Sequence, residues 1–189
     1  MNVLITGASG FLGKSFMNCF VNYKYTKFSL LKNSIDSIPF AKINTVLHCA
    51  ALVHKKSEYS YKEYEEVNYE YPLTLAEKAK KSGVNHFIFI STIAVYGIET
   101  GLIKENTKCN PSTSYGISKL KAENELLKLQ DTNFMVSIIR APIVNGCGAP
   151  GNMSSLIKLI KKLRILPFGQ IDNKRSMVYI GNLCNLINS

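Results

Sequence analysis

The chain has 189 residues, of which 46% are hydrophobic and 19% are charged, and its formal net charge is +10. This composition is typical of a soluble globular protein with one domain or slightly more. No run of eighteen apolar residues occurs, so we expect no membrane-spanning helix and no membrane partner. The five cysteines show no C-x-x-C spacing and are odd in number. They favour reduced thiols in the cytoplasm and no metal site.

The positive charge leaves two classes of partner open, nucleic acids and small anionic ligands such as phosphates. The lysines are spread over several predicted helices. The sequence has no arginine-rich arm, zinc finger or aromatic RNA-binding motif. We therefore expect no nucleic-acid partner and assign much of the charge to solubility.

Short apolar runs alternate with longer amphipathic segments along the chain. Pro72 lies inside one of the helical segments and predicts a kink or a fresh helix start there. The alternation predicts an α/β fold, a doubly wound parallel sheet with helices on both faces and right-handed connections. In chain order the predicted elements are strand 2–6, helix 11–22, strand 27–31, strand 45–51, helix 61–82, strand 86–92, helix 114–130, strand 135–140 and helix 153–163.

The segment TGASGFLG follows the first predicted strand directly and opens the first helix. Its glycines, Gly7, Gly10 and Gly13, are spaced three and three. Glycine permits a tight turn, a close approach of the backbone to a pyrophosphate and close packing of helix on strand. The helix that follows offers free N–H groups and a positive dipole end. Glycine triplets also occur in ordinary turns, so it is the position between strand and helix that indicates dinucleotide binding.

Tyr115 and Lys119 are four residues apart in TSYGISKLKAE, at the start of a predicted helix. One helical turn brings the phenol and the ammonium onto the same face. The spacing arises often by chance. By itself it fits both a surface pair and a tyrosine whose pKa is lowered for acid–base chemistry.

Five segments in this order, TGASGFLG, VLHCAA, FIFISTIAVYG, YGISK and RSMVYIGNL, resemble the motifs of the extended short-chain dehydrogenase/reductases. More narrowly, they resemble the NAD-dependent epimerase/dehydratase family that acts on nucleotide sugars. Two stretches, RAPIVNGCGAPGN and NKRSMVYIGNLCNLI, are most similar to bacterial 4-epimerases and 4-ketoreductase-like proteins of surface-polysaccharide synthesis. The resemblance implies a Rossmann-type NAD(P)-binding domain over residues 1–165. Residues 166–189 then begin a substrate lobe that is mostly absent, since family members are commonly longer.

The resemblance also assigns the reactive side chains. Tyr115 is the implied acid–base residue at the sugar hydroxyl or carbonyl. Lys119 is implied to bind the nicotinamide ribose and to lower the pKa of Tyr115. Thr92, favoured over its neighbour Ser91, supplies the hydroxyl that hydrogen-bonds the reacting oxygen.

Further residues are implied to contact the cofactor or the substrate. Asn68 is expected to be structural and close to the cofactor, Asp36 to contact adenine, and Arg175 to grip the diphosphate of the nucleotide sugar through its fork of donors. The implied cofactor-binding residues are Gly7, Ser9, Gly10, Phe11, Leu12, Gly13, Asp36, Ala50, Ala51, Asn68, Tyr115 and Lys119, and the implied substrate-binding residues are Thr92, Asn152 and Arg175.

One departure from the family pattern concerns the choice of cofactor. NAD-binding members usually carry an acidic residue at the end of the second strand, where it binds the ribose 2′-hydroxyl. Here that stretch is FSLLKNS, with Lys32 and no acid. Since a cation tolerates a 2′-phosphate, both NAD and NADP stay open.

The implied function is a nucleotide-sugar 4-epimerase or 4-ketoreductase, acting on a UDP-linked sugar as a homodimer built on a four-helix bundle. Dehydration is disfavoured because Ile93 and Ala94 stand where dehydratases often place acidic residues. The alternative is a non-catalytic dinucleotide-binding fragment of such an enzyme.

Overall fold

A five-stranded sheet forms the centre of the computed structural model, which describes residues 1–29, 33–53, 59–163 and 174–189. The strands are β1 Asn2–Thr6, β2 Lys24–Phe28, β3 Thr45–His48, β4 His86–Thr92, β5 Met135–Ala141, β6 Ile143–Asn145 and β7 Met177–Tyr179. The order in the main sheet is β2-β1-β3-β4-β5, with every neighbouring pair parallel. The chain changes direction across the sheet between β1 and β3, which makes their carboxyl ends the topological switch point. Strands β6 and β7 form a separate parallel pair.

Helices cover both faces of the sheet. The helices are α1 Phe11–Cys19, α2 Tyr61–Glu65, α3 Tyr71–Lys81, α4 Ser114–Lys128, α5 Asn152–Lys162 and α6 Ile180–Asn188. A π-helical turn, Glu66–Glu70, joins α2 to α3, and Pro72 stands in the first turn of α3, directly after this irregular turn. Within the described ranges, no helix has the length and apolar character needed to cross a membrane.

The core has two parts, one on each face of the sheet. On one face, Phe87 and Phe89 of β4 pack with residues of α3 and α4 such as Leu75 and Leu126. On the other face, Ile5 and Leu47 pack with residues of α1 and α6. All four strand side chains are at most 1% exposed. Burial on both faces explains why the central strands are continuous apolar runs rather than alternating patterns.

The predicted doubly wound parallel sheet is confirmed, and the strand predicted at residues 86–92 is observed with the same limits. The second strand begins and ends three residues earlier than predicted, at Lys24–Phe28. It is an edge strand with exposed positions, so its sequence is less apolar than the FSLL that follows it. The short strands β6 and β7 and the helix α6 were not predicted. Helix α6 contributes Leu183 and Ile187 to the same core as α1, so part of the region 166–189 packs with the main sheet.

The turn between β1 and α1 requires glycine at two positions. Gly7 has a φ of +67°, and a Cβ there would lie 2.7 Å from the backbone nitrogen of Ala50. A Cβ at Gly13 would lie 2.5 Å from the carbonyl oxygen of Gly7 and 2.9 Å from the Cα of Ala8. A Cβ at Gly10 would lie 3.1 Å from the carbonyl oxygen of Gly7, a tight contact that is less severe than those at Gly7 and Gly13.

Gly13→Ala should lower the free energy of unfolding by about 1–3 kcal/mol, because the new methyl group overlaps backbone atoms that cannot rotate away. A loss of stability is informative here, since helix propensity alone would make Gly13→Ala stabilising by about 1 kcal/mol. Gly10→Ala serves as the control and should change stability by about 1 kcal/mol or less. Urea denaturation of the two variants and the wild type measures the difference. A Gly13→Ala chain as stable as the wild type would contradict the close packing.

Candidate active site

A cleft of about 910 Å³ opens at the carboxyl ends of β1, β2 and β3, over the topological switch point. This is where open α/β sheets bind their ligands. Its lining includes four residues of the glycine turn, Gly7 to Gly10, and Ala50 and Ala51 after β3, as well as Val67 and Tyr71 from the helices that follow. Among the predicted cofactor-binding residues, Gly7, Ser9, Gly10, Ala50 and Ala51 line this cleft.

The amino end of α1 faces this cleft without a side-chain cap. Gly10 is the N-cap residue, and the first turn contains no acid. Within the described ranges, no side-chain cap accepts a hydrogen bond from this turn. Its free N–H groups and the positive end of the helix dipole suit a phosphate group. Phe11 and Leu12 contribute backbone to this first turn, while their side chains pack against the core.

The side of the cleft near β2 is basic. Lys14 of α1 and Lys27 of β2 line it together with Ser29 and Asn33. The sequence contains no Asp or Glu before Asp36. The predicted cation at Lys32 lies outside the described residues, so its contribution stays a prediction.

Asp36 lies on the short 3₁₀ turn Ile35–Ser37, where it forms an ion pair with Lys78. The same two residues line a second, smaller pocket. Lys78 holds the pKa of this exposed carboxyl below its ordinary value, chiefly through the hydrogen bond between them. The predicted contact of Asp36 with adenine stays a prediction.

Asn68 links the cleft at Leu52 to helix α4 at Ser118. It is fully buried in the π-helical turn; its side-chain oxygen accepts a hydrogen bond from the Leu52 amide at 2.8 Å, and its side-chain amide donates to the Leu52 carbonyl at 3.0 Å. The same amide lies 3.3 Å from the Ser118 hydroxyl, which donates to the carbonyl of Tyr115 at 2.9 Å. The residue is therefore structural and close to the cleft, and π-helical turns of this kind are frequent at functional sites.

Thr92 and Tyr115 come together where β4 ends and α4 begins. Thr113 caps α4 by accepting a hydrogen bond from the Gly116 amide at 3.1 Å. A Cβ at Gly116 would lie 2.8 Å from the carbonyl oxygen of Ala94, so glycine lets the helix approach the end of β4 closely. The hydroxyl groups of Thr92 and Tyr115 are hydrogen-bonded to each other. A reacting oxygen placed beside both would be within reach of two hydroxyl groups.

The pKa of Tyr115 is raised above its ordinary value, and burial is the main cause. The hydrogen bond to Thr92 acts in the opposite direction but does not outweigh burial. We predicted that Lys119 lowers the pKa of Tyr115. In the chain without a cofactor this pKa is raised instead, because desolvation of the phenolate is the larger effect. Burial therefore favours the protonated phenol of Tyr115 in the chain without a cofactor.

Lys119 is 1% exposed, and its ammonium nitrogen has no hydrogen-bond partner among the residues that the structure describes. It lies 3.8 Å from the centre of the Phe89 ring, close enough for a cation–π interaction. Burial lowers the pKa of Lys119 to about 7. An unpaired buried donor is costly, so this nitrogen is suited to bind a ligand oxygen. That is the role predicted for it at the nicotinamide ribose.

The other predicted residues are placed as follows. Ser91 is buried, and its hydroxyl donates to the carboxylate of Glu123, which leaves Thr92 as the hydroxyl next to Tyr115. Arg175 is exposed just before β7, and within the described chain it makes no hydrogen bond or ion pair. Asn152 begins α5, and its side chain lies outside the described residues. The substrate-binding roles of Arg175 and Asn152 stay predictions.

Sequence reasoning missed several residues of the site. Lys14 and Lys27 line the cleft but lie outside any motif. Glu123 continues the spacing of four from Tyr115 through Lys119, a signal that was present in TSYGISKLKAE. Its main partner, Arg140, is distant in sequence and no spacing rule would have found it.

The arrangement suits a dinucleotide whose diphosphate lies on the glycine turn. The adenosine half then lies toward β2, because the reactive residues lie on the opposite side, at β4 and α4. Three features fit the group: the uncapped helix end, the backbone close approach at Gly7, and the unpartnered ammonium of Lys119. Over the described ranges, His, Cys, Asp and Glu side chains form no group of three suited to a metal ion.

Comparison with known proteins extends over almost the whole chain. Residues 3–188 match the model of the NAD dependent epimerase/dehydratase family. A UDP-glucose 4-epimerase from Vibrio cholerae is 34% identical over 98% of this chain, and this chain spans 65% of that protein's length.

Two solved structures share the fold. A dTDP-4-dehydrorhamnose reductase from Clostridium acetobutylicum superposes with a TM-score of 0.79 at 26% identity, over 100% of this chain and 69% of that one. A UDP-glucuronic acid 4-epimerase from Bacillus cereus, solved with UDP-glucuronic acid and NAD, gives 0.79 at 23% identity, over 97% of this chain and 71% of that one.

These findings confirm the predicted family, and with it the prediction of an enzyme family that uses a nicotinamide dinucleotide. The chain belongs to the NAD-dependent epimerase/dehydratase family.

Proposed function

We propose that the chain is the cofactor-binding and catalytic part of a nucleotide-sugar 4-epimerase or 4-ketoreductase. We base this on the hydrogen-bonded pair Thr92 and Tyr115, which lies one helical turn from a buried, unpartnered Lys119 and beside a cleft over the glycine turn. The family match and the 34% identity to a UDP-glucose 4-epimerase support a UDP-linked sugar as the substrate class. A role in making surface-polysaccharide precursors is part of the same proposal.

Tyr115 carries the proton in the proposed reaction. For oxidation at C4 of the sugar, its phenolate takes the proton of the C4 hydroxyl while Thr92 hydrogen-bonds the same oxygen. For reduction, its phenol gives a proton to the carbonyl oxygen. When bound, a nicotinamide would supply the hydride chemistry at sugar carbon C4, in either direction. Lys119 holds the ribose by its ammonium and orients the ring toward Tyr115.

Epimerase and ketoreductase differ in the state of Tyr115 that starts the reaction. A reductase begins with a protonated phenol, which is the form that burial favours here. An epimerase begins with the phenolate, and the positive charge of an oxidised nicotinamide would favour that form. The relative with the higher identity is an epimerase, and a reductase shares the fold at 26% identity. We favour the epimerase.

A non-catalytic dinucleotide-binding chain is the alternative. Cofactor binding without conversion of any UDP-hexose would support it.

We also propose a homodimer through a four-helix bundle, for which Ile117 and Leu127 of α4 are available, being 37% and 49% exposed.

Tyr115→Phe should leave the Kd for the cofactor unchanged within about twofold and lower turnover by about 100-fold or more, since it removes only the ionisable hydroxyl. Interconversion of UDP-glucose and UDP-galactose, followed by NMR, measures turnover, and fluorescence titration measures binding. Tyr64→Phe, on the neighbouring ring 6.3 Å away, is the control and should keep the activity. Activity of Tyr115→Phe within about tenfold of the wild type would exclude the acid–base role.

Gly10→Val should abolish cofactor binding while the chain keeps its fold. The branched side chain would stand at the helix end where the diphosphate lies, and its Cβ meets only the Gly7 carbonyl oxygen at 3.1 Å. Calorimetric titration with NAD and NADP measures binding, and circular dichroism checks the fold. Unimpaired affinity in a folded Gly10→Val chain would show that the glycine turn is not the diphosphate site.

The choice between NAD and NADP follows from the charge around the adenosine ribose. A carboxylate there would repel a 2′-phosphate, but the nearby charged groups are Lys14 and Lys27. Exposed charge pairs contribute about 1 kcal/mol or less, so we expect weak discrimination. NADP should bind at least as well as NAD, to within about tenfold.

Lys27→Asp should shift this preference toward NAD by about fivefold to tenfold, because it replaces an attractive charge with a repulsive one. Lys24→Asp is the matched control. It makes the same charge change on the same strand, at the end away from the cleft, and should affect both cofactors alike. A wild-type chain that binds NAD more than about tenfold tighter than NADP would contradict the basic subsite.

A further inference from the structure

A buried ionic cluster joins α4 to the ends of β4 and β5. Glu123 of α4 is 1% exposed and accepts hydrogen bonds from Arg140 of β5, from Nε at 3.0 Å and from Nη2 at 2.7 Å. The hydroxyl of Ser91 also donates to this carboxylate. The remaining donor nitrogen of Arg140 reaches the Tyr96 hydroxyl at 2.9 Å. The carboxylate of α4 is thereby satisfied by donors from two strands, β4 and β5.

The position of this cluster relates it to the reactive residues. Ser91 directly precedes Thr92, so the cluster holds the end of β4. Glu123 lies on the same helical face as Tyr115 and Lys119, which come two turns and one turn earlier. Side chains four residues apart on a helix have Cβ atoms about 5–6 Å apart, so Glu123 and Lys119 are neighbours.

Stability alone does not explain such a pair. Two charges brought out of water incur a desolvation cost that their attraction often fails to offset, and apolar residues of similar volume would serve the core as well. The carboxylate at this position is therefore better explained by its electrostatic effect on neighbouring ionisable groups.

Lys119 is the neighbouring group on which the charge of the Glu123 carboxylate acts. From β3 it faces His48, whose pKa burial lowers to about 3, and after β3 it faces Cys49, whose pKa burial raises to about 12. Both are uncharged at neutral pH. From β4 it faces the Phe89 ring. Among the described groups acting on Lys119, Glu123 is thus the one with a negative charge, and it raises the pKa of Lys119 against the effect of burial.

We propose that Glu123 is a positioning residue: through Ser91 and Arg140 it fixes α4 against the end of β4, and its carboxylate favours the ammonium form of Lys119. The role of that ammonium in cofactor binding rests on the proposed function. The charge state of Lys119 in the free chain is independent of the proposed function.

The first experiment therefore uses the free chain. In lysine labelled with ¹³C at Cε, NMR titration should show one lysine with a midpoint near pH 7, well below the ordinary value near 10.5, and Lys119→Met should remove that signal. Glu123→Gln should lower the midpoint by about half a pH unit or more. Glu125→Gln, on the same helix with its carboxylate paired to Lys128, is the control and should leave it unchanged. An unchanged midpoint in folded Glu123→Gln would overturn the proposal.

If Glu123→Gln fails to fold, the double variant Glu123→Gln with Arg140→Met removes the buried cation as well and should fold. Its Lys119 midpoint should also lie below that of the wild type, and a midpoint at or above the wild-type value would overturn the proposal. The affinity for NAD at different pH values gives the second measurement. Its decline with rising pH should begin at lower pH in Glu123→Gln. A wild-type chain that binds neither NAD nor NADP would count against the proposed function and leave the Lys119 titration as an independent result.

Discussion

The hydrogen bonds of Asn68 are the interaction on which the candidate site depends. One amide side chain joins the wall of the cleft at Leu52 to the second turn of α4 at Ser118. Parallel strands and their helices bring these two regions near each other, but sheet geometry alone would not fix their spacing. Because the amide is fully buried, losing either partner would leave a polar group unsatisfied, which costs about 1–3 kcal/mol. The two halves of the site are therefore held at a defined separation.

Much of the fold could be read from the sequence because the central strands are buried on both faces. Such strands are short apolar runs, and β1 and β4 were placed at their observed limits. The edge strand β2 was displaced by three residues, since its exposed side carries polar residues that resemble a loop. Helix α6 was missed although its Leu183 and Ile187 complete the core beside α1, because only the folded structure shows which face they meet.

The candidate site was predictable only where its residues form a local pattern. The glycine turn and the Tyr115–Lys119 spacing lie within single turns of chain, and both were found. The electrostatic state of these residues was not, because burial depends on contacts between distant segments. Tyr115 and Lys119 each have a pKa shifted toward the neutral form, so the free chain presents a phenol and a partly deprotonated amine. Binding of a charged cofactor would then change the protonation of both.

The π-helical turn between α2 and α3 has a consequence for the evolution and engineering of this region. A turn of five hydrogen-bonded residues amounts to one residue more than the α-helix needs, and each residue adds about 100° of rotation. The apolar side of α3, which includes Leu75 and Ala79, is in phase with the sheet only with that extra residue present. Deleting a single residue at 66–70 would leave a more regular helix whose polar side faces the core. The length of this segment is thus constrained, in addition to the identity of Asn68 within it.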